Sequence, residues 1–540
     1  MKNNFTLLLL FLVVGKGFAQ EDAWIYLIDK PNAAASIANP ISILSQKAID
    51  RKQNHNVAID ERDVPVNETY ISDLKLQTGI IVMAKSKWFN AIHVRGTEED
   101  INALATLTYV DSIDFANNSL NTASRSTSNL NKWETENGTI TYTYGNAQNQ
   151  VEMINADNLH VADFTGEGIT IAVMDAGFPN VNTMSAFQRL RDNNDLLNGY
   201  DFVDRTSDVY AFIGNNHGTK VLSTMAAFVQ DQYVGTAPDA SYYLFRTEDS
   251  GSENPVEESY WVEAAERADS LGVDMINTSL GYTDFDNSNY DYTPADMNGQ
   301  VTYITKGASI AAEKGILVVV SAGNSGGTTW ETVGAPADSP NVLSIGAVNA
   351  DGDYVSFSSR GSAAQIGYQK PDVVARGGQA YVIDEFDSIV QNNGTSFSGP
   401  IMCGGIASLW QAIPDALPTE VMDFVRESAS QFSTPDDFLG YGIPDLDLAR
   451  SNALSLDDSQ IETFRFYPNP VSTQLNIEMP LIANQLEVSV YNQLGQEVMN
   501  QLITEYSSFI NVSDLASGIY VIKLSSANNS KAYKFIKSSN

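Results

Sequence analysis

The stretch Gly394-Thr395-Ser396-Phe397-Ser398-Gly399-Pro400 runs directly into Ile401-Met402-Cys403-Gly404-Gly405-Ile406-Ala407-Ser408-Leu409-Trp410. The second part is apolar or small on every face, which marks a helix through the middle of a large core. Proline is tolerated only near the start of such a helix, so Pro400 fixes its N-terminus close to Ser396. The serine hydroxyl therefore sits at the first turn, where free N–H groups and the positive dipole end favour negative charge on an attacked carbonyl oxygen. A free hydroxyl is a poor nucleophile and needs a base within hydrogen-bond reach.

The chain holds four histidines, at 55, 93, 160 and 217, all before Ser396. His217 lies in Asn216-His217-Gly218-Thr219-Lys220-Val221-Leu222, with Met225, Ala226, Phe228 and Val229 behind it. This is the pattern of an imidazole at the mouth of a helix, beside a glycine that lets another segment approach. Taken alone, such a histidine reads as a cap or a half-buried ring. Upstream, Ile169-Thr170-Ile171-Ala172-Val173-Met174 is a β-branched apolar run ended by Asp175-Ala176-Gly177. A strand buried on both faces with a carboxylate at its carboxyl end is where open α/β sheets keep their chemistry, although a lone aspartate there reads as a turn residue. His160, in Asn158-Leu159-His160-Val161-Ala162-Asp163, has no glycine context and reads as a surface or loop residue.

Between these points strand and helix patterns alternate. Tyr242-Tyr243-Leu244-Phe245 precedes Trp261, Ala264, Ala265, Ala268 and Leu271 at helical spacing; then come Val273 to Ile276, a helix ending near Lys314, and Ile316-Leu317-Val318-Val319-Val320. Such alternation builds a parallel sheet covered by helices, so the expected fold class is α/β. Asp175 after a strand, with His217 and Ser396 each opening a helix, gives the chain order Asp, His, Ser, the order of subtilisin-type triads.

On Asp175-Ala176-Gly177, His217-Gly218-Thr219 and Gly394-Thr395-Ser396 the chain resembles the three signature blocks of the subtilase family. Ile276-Asn277-Thr278-Ser279-Leu280-Gly281 resembles the segment lining that family's primary specificity pocket. Val318-Val319-Val320-Ser321-Ala322-Gly323-Asn324-Ser325-Gly326 resembles the strand and turn that carry its oxyanion-hole asparagine. The resemblance implies a parallel-sheet, subtilisin-like catalytic domain acting as a serine endopeptidase on protein or peptide substrates. It gives Ser396 as nucleophile, His217 as general base and acid, and Asp175 as the group that holds the imidazole. It also places Asn324 at the oxyanion, and Ser279, Leu280, Gly281, Ala322 and Gly323 along the substrate. Ala176 stands where the family usually has Ser or Thr, Phe397 where Met is common, Arg376 where Pro is frequent and Asn216 where Gly is frequent; none of these removes a catalytic atom. The alternative reading is a catalytically silent surface-binding protein that keeps the subtilase fold. The complete set Asp175, His217, Ser396 and Asn324 argues against it, because a decayed site loses at least one member.

Rival motifs fail on order or context. Gly323-Asn324-Ser325-Gly326-Gly327 fits the nucleophile elbow of α/β-hydrolases, but that fold needs a histidine after the serine and none follows Ser325. Gly166-Glu167-Gly168 precedes its strand and lacks the third glycine of a dinucleotide loop. Cys403 lies inside the apolar helix without a charged neighbour and reads as structural. No H-E-x-x-H or paired-cysteine spacing occurs, so the metal content is left unknown and the chemistry is expected to need no cofactor. Acidic loops such as Asp192-Asn193-Asn194-Asp195 are candidates for structural calcium, which the resemblance allows, without a complete readable ligand loop.

At 540 residues the chain exceeds one core. Its 31 Lys+Arg against 66 Asp+Glu give a net charge of −35, which argues against nucleic-acid partners and for an exported protein. Lys2, the apolar run Phe5 to Val14 and Gly17-Phe18-Ala19 read as a signal peptide (1–19), too short for a mature transmembrane anchor. One cysteine excludes an intrachain disulfide framework. Residues 20–116 are a mixed module. Ile80 to Met83, Phe89 to Val94 and Val110 to Phe115 read as strands, and Thr97 caps a helix with Glu98-Glu99-Asp100 in its first turn. The layout resembles the inhibitor-like propeptide of subtilases, which makes this module a partner of the peptidase domain (150–455). The connector between them (117–149), rich in Asn, Ser and Thr around 117 to 131, is the expected maturation site.

From Phe464 the period becomes two, as in a small β-sandwich. Tyr467-Pro468-Asn469-Pro470, Val490-Tyr491-Asn492-Gln493-Leu494-Gly495, Leu515-Ala516-Ser517-Gly518-Ile519-Tyr520 and Lys534-Phe535-Ile536-Lys537 resemble the C-terminal sorting domain of the type IX secretion system (460–540). That resemblance implies the type IX machinery as a partner. It also implies a secreted or surface-associated product reached through the periplasm of a Gram-negative bacterium.

Overall fold

Residues 20–115 form a four-stranded antiparallel sheet: β1 (Gln20–Leu27), β2 (Ile81–Ser86), β3 (Ala91–Thr97) and β4 (Val110–Phe115), in the order β2-β3-β1-β4. This computed structural model describes residues 20–121, 142–361, 367–459, 465–478, 485–492, 496–504, 509–525 and 530–538. The expected signal peptide, residues 122–141 of the connector and residues 493–495 of the expected turn lie outside the described residues. Thr97 caps the helix Glu98–Ala103 as its sequence predicts, its Oγ1 accepting the Asp100 N–H at 3.2 Å. The central strand β1 is not legible as a strand in the sequence: four consecutive residues, Asp22 to Ile25, are buried, which hides any alternation.

The β-branched runs of the middle region form one parallel sheet of seven strands. After β5 (Thr170–Asp175) and β6 (Tyr200–Asp201), a short hairpin of β7 (Phe228–Val229) and β8 (Tyr233–Val234) intervenes. The sheet continues with β9 (Ser241–Arg246), β10 (Met275–Thr278), β11 (Leu317–Ser321), β12 (Leu343–Val348) and β13 (Val373–Arg376). The order is β13-β12-β11-β10-β5-β9-β6, with every pairing parallel. The chain builds outward from β5 to one side and then crosses to β10 on the other. The crevice at the carboxyl end of β5 is therefore the place where such sheets bind ligands. All residues of the helix Thr395–Ala412 except Gln411 are buried, as its uniform apolarity requires.

The N-terminal module lies on the helix Val256–Leu271. Trp24 stacks on Tyr303 (4.5 Å between rings) and donates to Ser259 Oγ at 2.8 Å. His93 bridges Asp22 Oδ1 (2.9 Å) and Ser259 Oγ (2.8 Å). Glu266 accepts the backbone N–H groups of Lys87 and Trp88, each at 2.9 Å. The fully buried Asp269 is ion-paired to Arg51 (2.5 Å), Lys52 (2.7 Å) and Lys87 (3.4 Å), all from the module. In return, Lys314 of the central domain reaches Asp63 (2.8 Å) and Asp60 (3.0 Å).

The C-terminal unit, described by itself, is two antiparallel sheets around one small apolar core, as the period-two pattern predicts. Its strands are β16 (Arg465–Tyr467), β17 (Gln474–Glu478), β18 (Gln485–Tyr491), β19 (Glu497–Thr504), β20 (Phe509–Asn511), β21 (Gly518–Ser525) and β22 (Ser530–Lys537). They follow the hairpin β14 (Ala380–Ile383) and β15 (Ile389–Asn392) of the central domain. No helix among the described residues is long and apolar enough to cross a membrane.

Candidate active site

Asp175 is the last residue of β5 and is 0% exposed. Its Oδ1 accepts the Ala176 N–H at 2.8 Å and pairs with His217 Nδ1 at 2.7 Å. Oδ2 is buried without a hydrogen-bond partner, and Ala176 supplies no hydroxyl beside it. His217 opens the helix His217–Ala226, where its own N–H is held by Asn215 Oδ1 at 2.8 Å. Gly218 permits this approach: a Cβ there would lie 2.6 Å from Gly177 O and 2.9 Å from Asp175 Cβ. Burial pushes the imidazole toward its neutral form, but Asp175 and Glu248 outweigh it, and His217 titrates above its ordinary value. Its side chain keeps 30% exposure, so Nδ1 is tied down while the ring still faces the crevice.

Ser396, 9% exposed, is the second residue of the helix Thr395–Ala412, so its N–H has no acceptor within the helix. The neighbouring Phe397 ring packs against His217 at 5.9 Å, which brings the two helix mouths together. Ser396 Oγ donates a long bond of 3.5 Å to Ser279 O, and Ser279 Oγ donates to Ser396 O at 3.1 Å. Catalytic hydroxyls held this loosely tighten onto their base only when a reacting group is present.

Asn324, exposed after β11, has its Oδ1 engaged by Thr395 N (2.9 Å) and Thr395 Oγ1 (3.0 Å). This fixes the amide with its Nδ2 donor left for another acceptor beside Ser396. Gly323 N donates to the same Thr395 Oγ1 at 3.2 Å, and Ser321 Oγ to Thr395 O at 2.8 Å. Gly323 has φ +106°, and a Cβ there would come 2.9 Å from Ser359 Oγ. Ser279 and Ala322 are buried, Leu280 is half-buried and Gly281 exposed, so the two segments expected along a substrate leave the ends of β10 and β11 on the Ser396 side. The structure thus brings Asp175, His217, Ser396, Asn324 and both segments to one edge of the sheet.

Other sequence-stated positions sort themselves differently. His160 is a correction: it is fully buried, bonded to Tyr144 OH (2.8 Å) and Thr236 O (3.1 Å), and burial pushes it down to about 4. Cys403 is buried, and burial raises its thiol. In the glycine loop before β5, the N–H groups of Thr165, Gly166 and Glu167 converge on Gln411 Oε1 at 2.7–3.1 Å. Asp192 and Asp195 are engaged by Gln188 and Ser241, each at 2.6 Å. Two site residues escape the sequence reading. Thr395 anchors Asn324, and Glu248 adds a carboxylate near His217; the one local hint of the latter is the Glu248-Asp249 pair just past the apolar run of β9.

Three regions of the chain are similar to known families and proteins. A propeptide domain of S8 peptidases from Bacteroidota matches residues 22–132, and a secretion system C-terminal sorting domain matches residues 465–538. Subtilisin E of Bacillus subtilis (strain 168) is 30% identical over 282 residues, 52% of this chain and 65% of its own length. A subtilisin of Bacillus pumilus is 29% identical over 282 residues, 52% of this chain and 90% of its own. The crystal structure of MycP1 from Mycobacterium smegmatis aligns with a TM-score of 0.44 at 21% identity, over 59% of this chain and 88% of that one. The subtilase family model spans residues 166–442, more than half of the sequence and every residue from Asp175 to Ser396, and the chain belongs to that family.

Proposed function

We propose that this chain is a secreted serine endopeptidase that hydrolyses peptide bonds through Asp175, His217 and Ser396 and an acyl-enzyme intermediate. The observation that carries the reading is the 2.7 Å bond from His217 Nδ1 to the buried Asp175 carboxylate, beside the helix mouth that bears Ser396. Ser396 Oγ adds to the carbonyl carbon while its proton passes to His217 Nε2. Asp175 holds the Nδ1–H tautomer and stabilises the imidazolium without taking its proton. The carbonyl oxygen, now an oxyanion, accepts from Ser396 N–H and Asn324 Nδ2. Collapse expels the amine, which takes the proton from His217 and leaves an ester on Ser396. Water then attacks the ester by the same relay and frees the acid. Ser279, Leu280, Gly281, Ala322 and Gly323 line the bound peptide, and no step needs a cofactor.

In this reading residues 20–116 are the inhibitory propeptide, cut away within 117–149, and 150–455 is the peptidase domain. Residues 1–19 lead the chain into the periplasm of a Gram-negative cell, and 460–540 address it to the type IX machinery. The test is labelling with a fluorophosphonate probe together with peptide hydrolysis: both should occur in the matured protein and vanish in Ser396→Ala. A correctly folded wild-type chain that takes no label would instead support the silent surface-binding protein. Export is tested separately by truncation after Ser459, which should leave an active enzyme in the periplasm.

A further inference from the structure

The strands flanking β5 place one more carboxyl at the crevice. β9 runs parallel to β5 with Arg246 opposite Asp175, and the next N–H, of Thr247, donates to Asp175 O at 3.1 Å. Glu248 follows, half-buried, and accepts the Tyr282 hydroxyl at 2.7 Å. Tyr282 is 1% exposed and comes three residues after Ser279, beyond β10 on the other side of β5. The Glu248–Tyr282 bond therefore spans the carboxyl end of the strand at which Asp175 holds His217. We propose that Glu248 is a positioning residue for His217, a second carboxylate that stabilises the imidazolium formed during peptide hydrolysis; the inference rests on the peptidase reading above.

The charges around Glu248 leave this as its one compensated role. It accepts from Tyr282 beyond β10, and its charge acts on Asp175 of β5, His217 of its helix and Asp249 of its own loop. Glu253 in the same loop and Glu257 on the helix Val256–Leu271 feel its charge in turn. His217 is the sole cation among these groups. Lys220, one turn along from His217, works against the imidazolium, and Asp175 and Glu248 work for it. Burial raises the Glu248 carboxyl to about 7, with Asp175 and Asp249 adding to the rise and Tyr282 and His217 pulling back. The Glu248 carboxylate and the His217 imidazolium therefore favour each other's charged forms.

The sign follows from this. Removing the Glu248 charge lowers the pKa of His217, so the enzyme stays active to lower pH but stabilises its transition state less. Glu248→Gln keeps the size and an acceptor for Tyr282. On an uncharged peptide amide, the acid limb of kcat/KM should move down by roughly half to one pH unit and kcat on the plateau fall about three- to tenfold, with KM nearly constant. Glu248→Asp, which restores the charge, should return the limb most of the way. A merely structural role would be kept by Gln and would leave the limb in place. Independently of hydrolysis, the His217 ring signal in the full chain carrying Ser396→Ala should titrate lower once Glu248→Gln is added. An unmoved limb or an unmoved ring titration overturns the proposal. A wild type that hydrolyses no peptide overturns the peptidase reading instead, and the ring titration still decides the role of Glu248.

Discussion

Asp175 and Asp269 are both completely buried carboxylates of the central domain, and their surroundings are opposite. Asp269 is surrounded by Arg51, Lys52 and Lys87, all from the N-terminal module. Burial alone would raise its carboxyl, but Lys52, Lys87 and Arg51 outweigh that and hold it well below the usual carboxylate range. Asp175 has one imidazole, one backbone N–H and an oxygen with no partner. A saturated carboxylate fixes two surfaces together, whereas an under-coordinated one keeps its field for the single group that changes charge. The difference teaches where to look for chemistry in a core rich in acids: at a buried carboxylate that shares one oxygen with an imidazole and keeps the other without a hydrogen-bond partner.

The contrast is broken most severely at Asp175. Asp175→Ala should lower kcat by roughly ten-thousandfold or more, the scale found for the corresponding change in subtilisin, without loosening the N-terminal module. Steady-state kinetics and a binding titration with residues 20–116 as a separate fragment check both halves. Under the proposed mechanism, in which its amide would meet the oxyanion more than the ground-state carbonyl, Asn324→Ala should cost on the order of a hundred- to a thousandfold in kcat, a magnitude known from subtilisin, with little change in KM. A raised KM at constant kcat would show that the amide serves binding.

Asp269→Ala reverses the pattern. It removes the carboxylate that three buried cations share at the interface, a loss of about 3–5 kcal/mol, so the fragment should bind at least a hundredfold more weakly while kcat of the matured enzyme stays within about twofold. The smallest effect sharpens the comparison through pH. His55 contacts Gly315 O at 3.1 Å and stacks near Trp410, and burial, helped by Arg51, lowers it to about 4. Its contribution to docking is complete above about 6.5, the pKa of the free imidazole, and is lost as pH falls toward 4. Affinity of the fragment carrying His55→Phe should therefore fall less steeply across that window than that of the wild-type fragment. Glu266, pushed up to about 7 by burial under the same module, contributes the opposite slope, so the difference between the two proteins isolates His55.

Much of the site was legible because its members carry local signals: a β-branched run closed by Asp175, a glycine after His217, and an apolar helix behind Ser396. The alternation of strands and helices announced the parallel sheet for the same reason. What stayed hidden depends on partners far along the chain. β1 is buried in four successive residues because one face packs on its own module and the other on the central domain, which erases period two. His160 looked like a loop residue because Tyr144 and Thr236, which satisfy it, stand in unrelated stretches. Within Val256–Leu271, nothing local signals the fate of Glu257, Glu258, Glu266 and Asp269. They are buried, bonded to segments up to 46 residues away and, for Glu266 and Asp269, to the N-terminal module.

The composition of that helix has one more consequence. If the N-terminal module is cut away, Glu266 and Asp269 lose all the donors and cations it supplied, and the bared face meets water as a row of carboxylates. Hydration then favours their ionised forms, and like charges accumulate beside the aromatic surface that Trp24 and Phe89 had covered. An apolar contact of the same extent would bind as well but would leave behind a patch prone to aggregation. The ionic part of this joint thus keeps charge on a face whose aromatic part, at Tyr303, is uncovered at the same time.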